Sequence, residues 1–215
     1  MNILIIGAGG VTSYLLPVLL KSFPLNKVVI QDKDILEARN LDRQAFDERF
    51  VGRSKAKSLV SMYKRILRDS TISLEAVDQW FESGRLLADF DIVICAADNH
   101  TARRNSLFEA DCQGKICIIA GNEYFDNEAY IYYPHDKGTE RDPRVRYPEI
   151  ETDTSGNPVR CTGEAQEAHP QLAIANMGAA HKILHLLWNH VHSKASLKYL
   201  PFELKDNQYE CKAVA

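Results

Sequence analysis

Three side chains in this sequence have the types and spacing for chemistry on a polyphosphate: Arg43, Lys55 and Asp98. Two cations suit a transferring phosphoryl group whose negative charge grows in the transition state, and a carboxylate can hold Mg²⁺ against phosphate oxygens. Asn40 and Gln44 flank the arginine and add amide donors. Asp98 directly follows an apolar run, which puts it at the carboxyl end of a strand, in the crevice where ligands of open α/β sheets bind. Taken alone, Asp98-Asn99 fits a helix N-cap equally. Ahead of these residues stands Gly7-Ala8-Gly9-Gly10-Val11-Thr12-Ser13. Glycines in such a turn let backbone approach phosphate, and the exposed N–H groups of the next helix favour an anion. A tight strand-to-helix turn is the plainer alternative. Asp32, at the end of the second strand, can accept the ribose hydroxyls of a nucleotide. A nicotinamide enzyme would share the glycine turn and Asp32, but Lys55 and the stretch from Asn40 to Gln44 count against it.

The elements that must position these groups are legible in the apolar spacing. Residues 2–6 form an apolar run after Asn2, as expected of a parallel strand covered on both faces. A helix follows over 11–21, where Pro17 demands a local kink or an early stop. The second strand covers 27–31. Residues 53–68 give the clearest amphipathic helix, with Ala56, Leu59, Val60, Tyr63, Ile66 and Leu67 at helical spacing. Strands over 71–76 and 91–96 bracket a short helix holding Trp80, Phe81 and Leu86. Trp80, Phe81 and Trp188 are expected in the core. A helix over 100–110 leads to a strand over 115–120. This alternation predicts an α/β doubly wound, Rossmann-like sheet.

Beyond residue 120 the pattern changes. Residues 129–133 read as a strand, so the sheet is expected to be mixed, with an antiparallel C-terminal extension. From 134 to about 163 there are four prolines, many charges and little apolar periodicity. Such a stretch is usually disordered or functional. A helix over about 164–191 and a terminal strand pair near 197–200 and 208–214 complete the reading. Neither repeats nor a linker divide the chain, so 1–215 is expected to be one domain with an irregular crossover segment at about 134–163.

With 215 residues, 45% apolar and 26% charged, the chain is long enough for a real core. A net charge of -3 gives no sign of a nucleic-acid or membrane-steering surface. No apolar run approaches the roughly 18 residues of a membrane span. The first residues lack a basic region and pass straight into the glycine turn, unlike a signal peptide. Five cysteines with no C-x-x-C pair argue against a disulfide framework and a four-cysteine zinc site, and make a reducing, cytoplasmic setting the expectation. Cys95 and Cys117 lie in strand-like runs and are expected to be buried and inert. His181 and His185 stand four apart on one helix, where an exposed polar face is favoured over a metal site.

In their order, these motifs resemble the ThiF/MoeB/E1 superfamily, whose members activate ubiquitin-like or sulfur-carrier proteins. The family pattern is G-x-G-G-x-x-S, D-x-D, N-L-x-R-Q, V-G-x-x-K and D-N-x-x-x-R. Here it appears as Gly7 to Ser13, Asp32 with Asp34, Asn40 to Gln44, Val51-Gly52-Arg53-Ser54-Lys55, and Asp98-Asn99 with Arg103. The match covers roughly residues 1–190 and weakens after 135. The resemblance implies that Gly7, Gly9, Gly10 and Asn99 bind the nucleotide, with Asp32 on the ribose. Asn40, Arg43, Gln44 and Lys55 would bind ATP phosphates and Asp98 would hold Mg²⁺. The implied reaction is attack of a partner's C-terminal glycine carboxylate on the α-phosphate, giving an acyl-adenylate and pyrophosphate. The implied partner is a small ubiquitin-like or sulfur-carrier protein ending in Gly-Gly, and the implied assembly a homodimer or heterodimer.

Three departures stand out. Thr12 replaces a glycine common at that place. The paired zinc cysteines of many members are absent, so no structural zinc is expected. There is no room before the first strand for the helix that, in many members, supplies an arginine to the partner subunit's site. The crossover segment of the family carries a thioester or persulfide cysteine where one exists, which implies Cys161. Next to Arg160 and ahead of a helix N-terminus its thiolate would be favoured, although a loop cysteine that only packs is the alternative; Cys112 is a weaker candidate. The rival functions are a non-catalytic E1-like partner or scaffold, a nicotinamide-dependent oxidoreductase, and adenylation of a tRNA base, against which the acidic balance weighs.

Overall fold

Ile3, Leu4, Ile5 and Ile6 are all buried because β1 (Asn2–Ile6) lies at the middle of a sheet covered on both sides. The computed structural model describes residues 1–65, 67, 71–82, 89–122, 125–153, 172–192 and 203–205. The glycine turn then opens α1 (Gly10–Ser22), which continues past Pro17, so of the kink or early stop expected there the stop does not occur. β2 (Lys27–Gln31), α2 (Lys55–Lys64), β3 (Ser73–Val77), β4 (Ile92–Cys95), α3 (His100–Gln113) and β5 (Ile116–Asn122) follow. These five strands are parallel. β6 (Asn127–Tyr132) turns back antiparallel on β5, and β7 (Glu203–Lys205) pairs antiparallel with β6. The order across the sheet is β3-β2-β1-β4-β5-β6-β7.

The two-residue period of the strands sorts their side chains to opposite faces. Ile3, Ile5, Val28, Ile30 and Ile118 meet α1, α2 and the long helix α6 (Ala173–His192) on one side. Leu4, Ile6, Val29, Val93 and Ile119 meet α3 on the other. Helices on both faces of a mixed sheet confirm the doubly wound arrangement. Cys95 and Cys117 are fully buried on the α3 side, and burial pushes both thiols above their ordinary pKa. Among the described residues, no helix is long and apolar enough to cross a membrane.

Three expectations change. Trp80 and Trp188 are not core residues: they are 58% and 48% exposed. Residues 78–82 form no helix, and 83–88 lie outside the described residues. β7 is a strand not expected, and the expected pair at 197–200 and 208–214 lies outside the described residues. The segment from Pro134 is built, through Asp153, from a 3₁₀ turn at Pro134–Asp136 and two short helices, α4 (Pro143–Arg146) and α5 (Glu149–Thr152). Tyr147 and Ile150 anchor it in the core on the α3 side, and polar contacts hold the rest, which leaves no apolar period to read. Asp142 caps α4, Arg144 bonds Asp111 at 2.7 Å, the Tyr132 hydroxyl at 2.7 Å and Asp142 at 2.8 Å, and the Tyr147 hydroxyl donates to Glu128 at 2.8 Å.

Candidate active site

Between β1 and β4 the chain connections leave the sheet in opposite directions, and ligands of such folds bind outside the carboxyl ends at that point. Here those ends frame a cavity of about 520 Å³. Gly7, Gly9 and Gly10 all line it, but each is a glycine for a different reason. Gly7 has φ +94, and a Cβ there would sit 2.9 Å from the Ala96 backbone, so β1 and β4 can close up only around glycine. At Gly10 a Cβ would lie 2.3 Å from the Asn176 amide oxygen of α6. Only Gly9 is open: the nearest group to its Cβ position is the Gln44 amide at 4.0 Å. Gly9 is also the N-cap of α1 and offers no side chain to the first N–H groups, which therefore remain available to an anion.

Gly10→Ala is accordingly expected to destabilise the fold by about 1–3 kcal/mol through overpacking. Gly10→Ala combined with Asn176→Ala should recover much of that loss in urea denaturation. Equal stability of Gly10→Ala and wild type would refute the close approach. Thr12, the departure from the family glycine, keeps the helix and donates its hydroxyl to the Gly7 carbonyl at 2.6 Å.

Asp32 grips the turn from the other side. One carboxylate oxygen accepts the Ala8 N–H at 2.5 Å and the other accepts the Asp34 N–H at 2.7 Å. Burial pushes this carboxyl's pKa up, against those two N–H groups, which favour the ionised form. Each oxygen keeps a lone pair for a ribose hydroxyl. Asn99 proves to be the N-cap of α3, accepting the Ala102 N–H at 2.8 Å. That leaves the neighbouring Asp98 exposed in the cavity. The N-cap reading of the Asp-Asn pair thus falls to Asn99, while Asp98 lines the cavity.

The residues expected to bind phosphates are only partly brought together. Lys55 is buried in the cavity wall with its ammonium 2.8 Å from the Asp34 carboxylate. Gln44 lines the cavity as well. Asn40 and Arg43 do not. The Asn40 side chain accepts the Glu37 N–H at 3.0 Å, capping a 3₁₀ turn at Ala38–Asn40, and the Arg43 guanidinium donates to the Arg39 carbonyl at 2.9 Å. Asp32, Asp34, Glu82 and Asp98 therefore face the cavity with Lys55 as its sole basic residue among those described.

Sequence reasoning missed Asn122, Asn176 and Trp80, which all line the cavity. Asn122 donates to Asn176 at 2.8 Å, and Asn176 donates in turn to the Arg43 carbonyl at 3.1 Å. The available signal was a polar residue on the buried stripe of α6, three before Ala179. Cys161 lies outside the described residues, and Cys112 is exposed on α3 away from the cavity. His181 and His185 sit with ring centroids 6.3 Å apart, and among the described residues no three His, Cys, Asp or Glu side chains cluster.

A glycine turn, a strand-end carboxylate and a polar crevice at the reversal point of a doubly wound sheet define a Rossmann-like domain of the nucleotide-binding type. The chain belongs to the ThiF family, whose model matches residues 1–214. Among solved structures it is similar to E. coli MccB with ATP, at 18% identity and TM-score 0.67, covering 98% of this chain and 61% of that one. MccB with AMPCPP and MccA gives 20% identity and TM-score 0.69, covering 98% and 62%. PaaA gives 17% and 0.64, covering 91% and 58%. The chain thus spans about three-fifths of the length of the proteins it matches. Comparison with curated protein sequences yields no match.

Proposed function

We propose that this chain is an ATP-dependent, E1-like adenylyltransferase that activates the C-terminal carboxylate of a small partner protein or peptide. The observation that supports this best is one cavity holding the uncapped N-terminus of α1, Asp32, Lys55 and Asp98. The N–H groups of α1 receive phosphate, Asp32 receives the ribose, and Lys55 exchanges Asp34 for a phosphate oxygen. The partner carboxylate attacks the α-phosphorus; the bond to the β-phosphate bridging oxygen breaks, releasing pyrophosphate and leaving an acyl-adenylate.

Mg²⁺ fits the residues present. It typically keeps several waters and takes one or two carboxylates plus substrate phosphates, so Asp98 suffices as its protein ligand without a three-residue cluster. Its role there would be to offset phosphate charge, which a cavity with four carboxylates and one lysine does not do by itself. MccB has been solved with ATP and with AMPCPP and MccA together, which supports a nucleotide and a second bound partner for this chain. The finer reading is a ubiquitin-like or sulfur-carrier protein ending in Gly-Gly, a dimeric assembly in the cytoplasm, and a thioester on Cys161 in a second step.

Calorimetric titration tests the nucleotide. ATP with Mg²⁺ should bind and NADH should not; heat from NADH with none from ATP would end this reading. One observation favours the rival of a non-catalytic E1-like subunit: the Arg43 guanidinium is turned away onto the Arg39 carbonyl. ATP binding without partner-dependent ATP–pyrophosphate exchange would establish that rival.

A further inference from the structure

Trp80 stands exposed at the rim of the nucleotide cavity, and we propose that its indole is the platform on which the adenine base stacks. This deepens the ATP reading above and rests on it. Tryptophan is usually mostly buried, so a half-open indole lining a polar cavity needs an occupant to explain it. Its neighbour Phe81 is buried in the core on the α3 side, which holds the segment in place while Trp80 faces outward.

The sheet order supplies the direction. Phosphate anchors stand after β1 and β4, at Gly9 and Asp98; the ribose anchor Asp32 stands after β2. The next strand in the order is β3, and Trp80 follows it. A nucleotide laid out as triphosphate, ribose and base along β4-β1-β2-β3 therefore ends at Trp80. The two inner anchors are tied to each other: the Gln31 amide donates to the Trp80 carbonyl at 2.8 Å, and the Asp32 N–H donates to the Val77 carbonyl at 3.1 Å. The backbone at Asp32 and at Trp80 is thus held together at the carboxyl ends of the neighbouring strands β2 and β3.

Stacking on a single aromatic face does not distinguish one base from another, so adenosine and guanosine nucleotides should both engage Trp80. The chain has two tryptophans, and Trp188 lies on α6 away from the cavity. Trp188→Phe protein therefore reports Trp80 emission alone. ATP and AMP should quench it, while tripolyphosphate, which has no base, should not. Trp80→Ala should weaken ATP binding about 10- to 100-fold by calorimetry, and the loss should appear in KM for ATP more than in kcat. Trp80→Phe should retain most of the affinity, which separates stacking from misfolding. If wild type binds ATP but Trp80 emission is unchanged and Trp80→Ala binds equally well, the platform is refuted and the ATP reading survives. If wild type binds no ATP, both fall together.

Discussion

Asp98→Ala should lower partner-dependent ATP–pyrophosphate exchange by about 10²-fold or more, the loss typical when one electrostatic stabiliser of a transferring group is removed. The fold should be intact, because Asn99 and not Asp98 caps α3. The effect should extend to binding: Mg²⁺ should strengthen ATP affinity in wild type and do so much less in the variant. Without Asp98, the cavity still presents Asp32, Asp34 and Glu82 to the triphosphate but lacks the carboxylate beside the strand end of β4. Exchange at near wild-type rate in Asp98→Ala would place the metal on another side chain.

Arg144→Ala should cost about 3–5 kcal/mol of stability, since it strands buried carboxylates that the guanidinium neutralises. Asp142 is buried and Asp111 partly buried around it, and Arg144 bonds each of them as well as the Tyr132 hydroxyl. Burial pushes the Asp111 carboxyl up, but hydrogen bonds from Arg144, Tyr132 and Lys137 outweigh it and hold the pKa below its ordinary value. Asp142 behaves alike, with Arg144 and the Gly138 and Arg144 N–H groups as donors. The folded state then binds fewer protons than the unfolded one, so stability rises with pH through the carboxylate range. The stabilisation is complete above the ordinary aspartate value of 3.8 and is lost as pH falls through the depressed ones. Urea denaturation of both proteins at pH 7 and near pH 3 reads this: a wide gap at pH 7 that narrows in acid. A gap below about 1 kcal/mol at pH 7 would show that the network is solvated and worth no more than a surface pair.

The sheet was legible because its strands are buried on both faces and carry unbroken apolar runs; β2 occupies the very residues expected for it. The glycine turn, Asp32 and Asp98 were legible for a related reason. They sit at strand ends, where sequence position dictates spatial position. The contacts of Arg43 were not legible, because nothing in a motif says whether a long side chain is extended to a ligand or bonded to a carbonyl four residues back. The region of α4 and α5 escaped because ion pairs and caps, not apolar period, order it. Trp80 was read as core from its type; its neighbour Phe81 took that place instead.

Asn176 joins residues that the chain makes far apart in time. Synthesis from the N-terminus delivers the glycine turn, Asp32, Lys55 and Asp98 long before α6, yet the wall against Gly10 and the tether to the Arg43 carbonyl both come from that late helix. A nascent chain ending after β5 would already carry the glycine turn, Asp32, Lys55 and Asp98, but not the Asn176 wall of the cavity. The cavity takes its final shape only when α6 docks, so its assembly depends on contacts between residues far apart in sequence, the kind that loop-closure entropy makes slow to form.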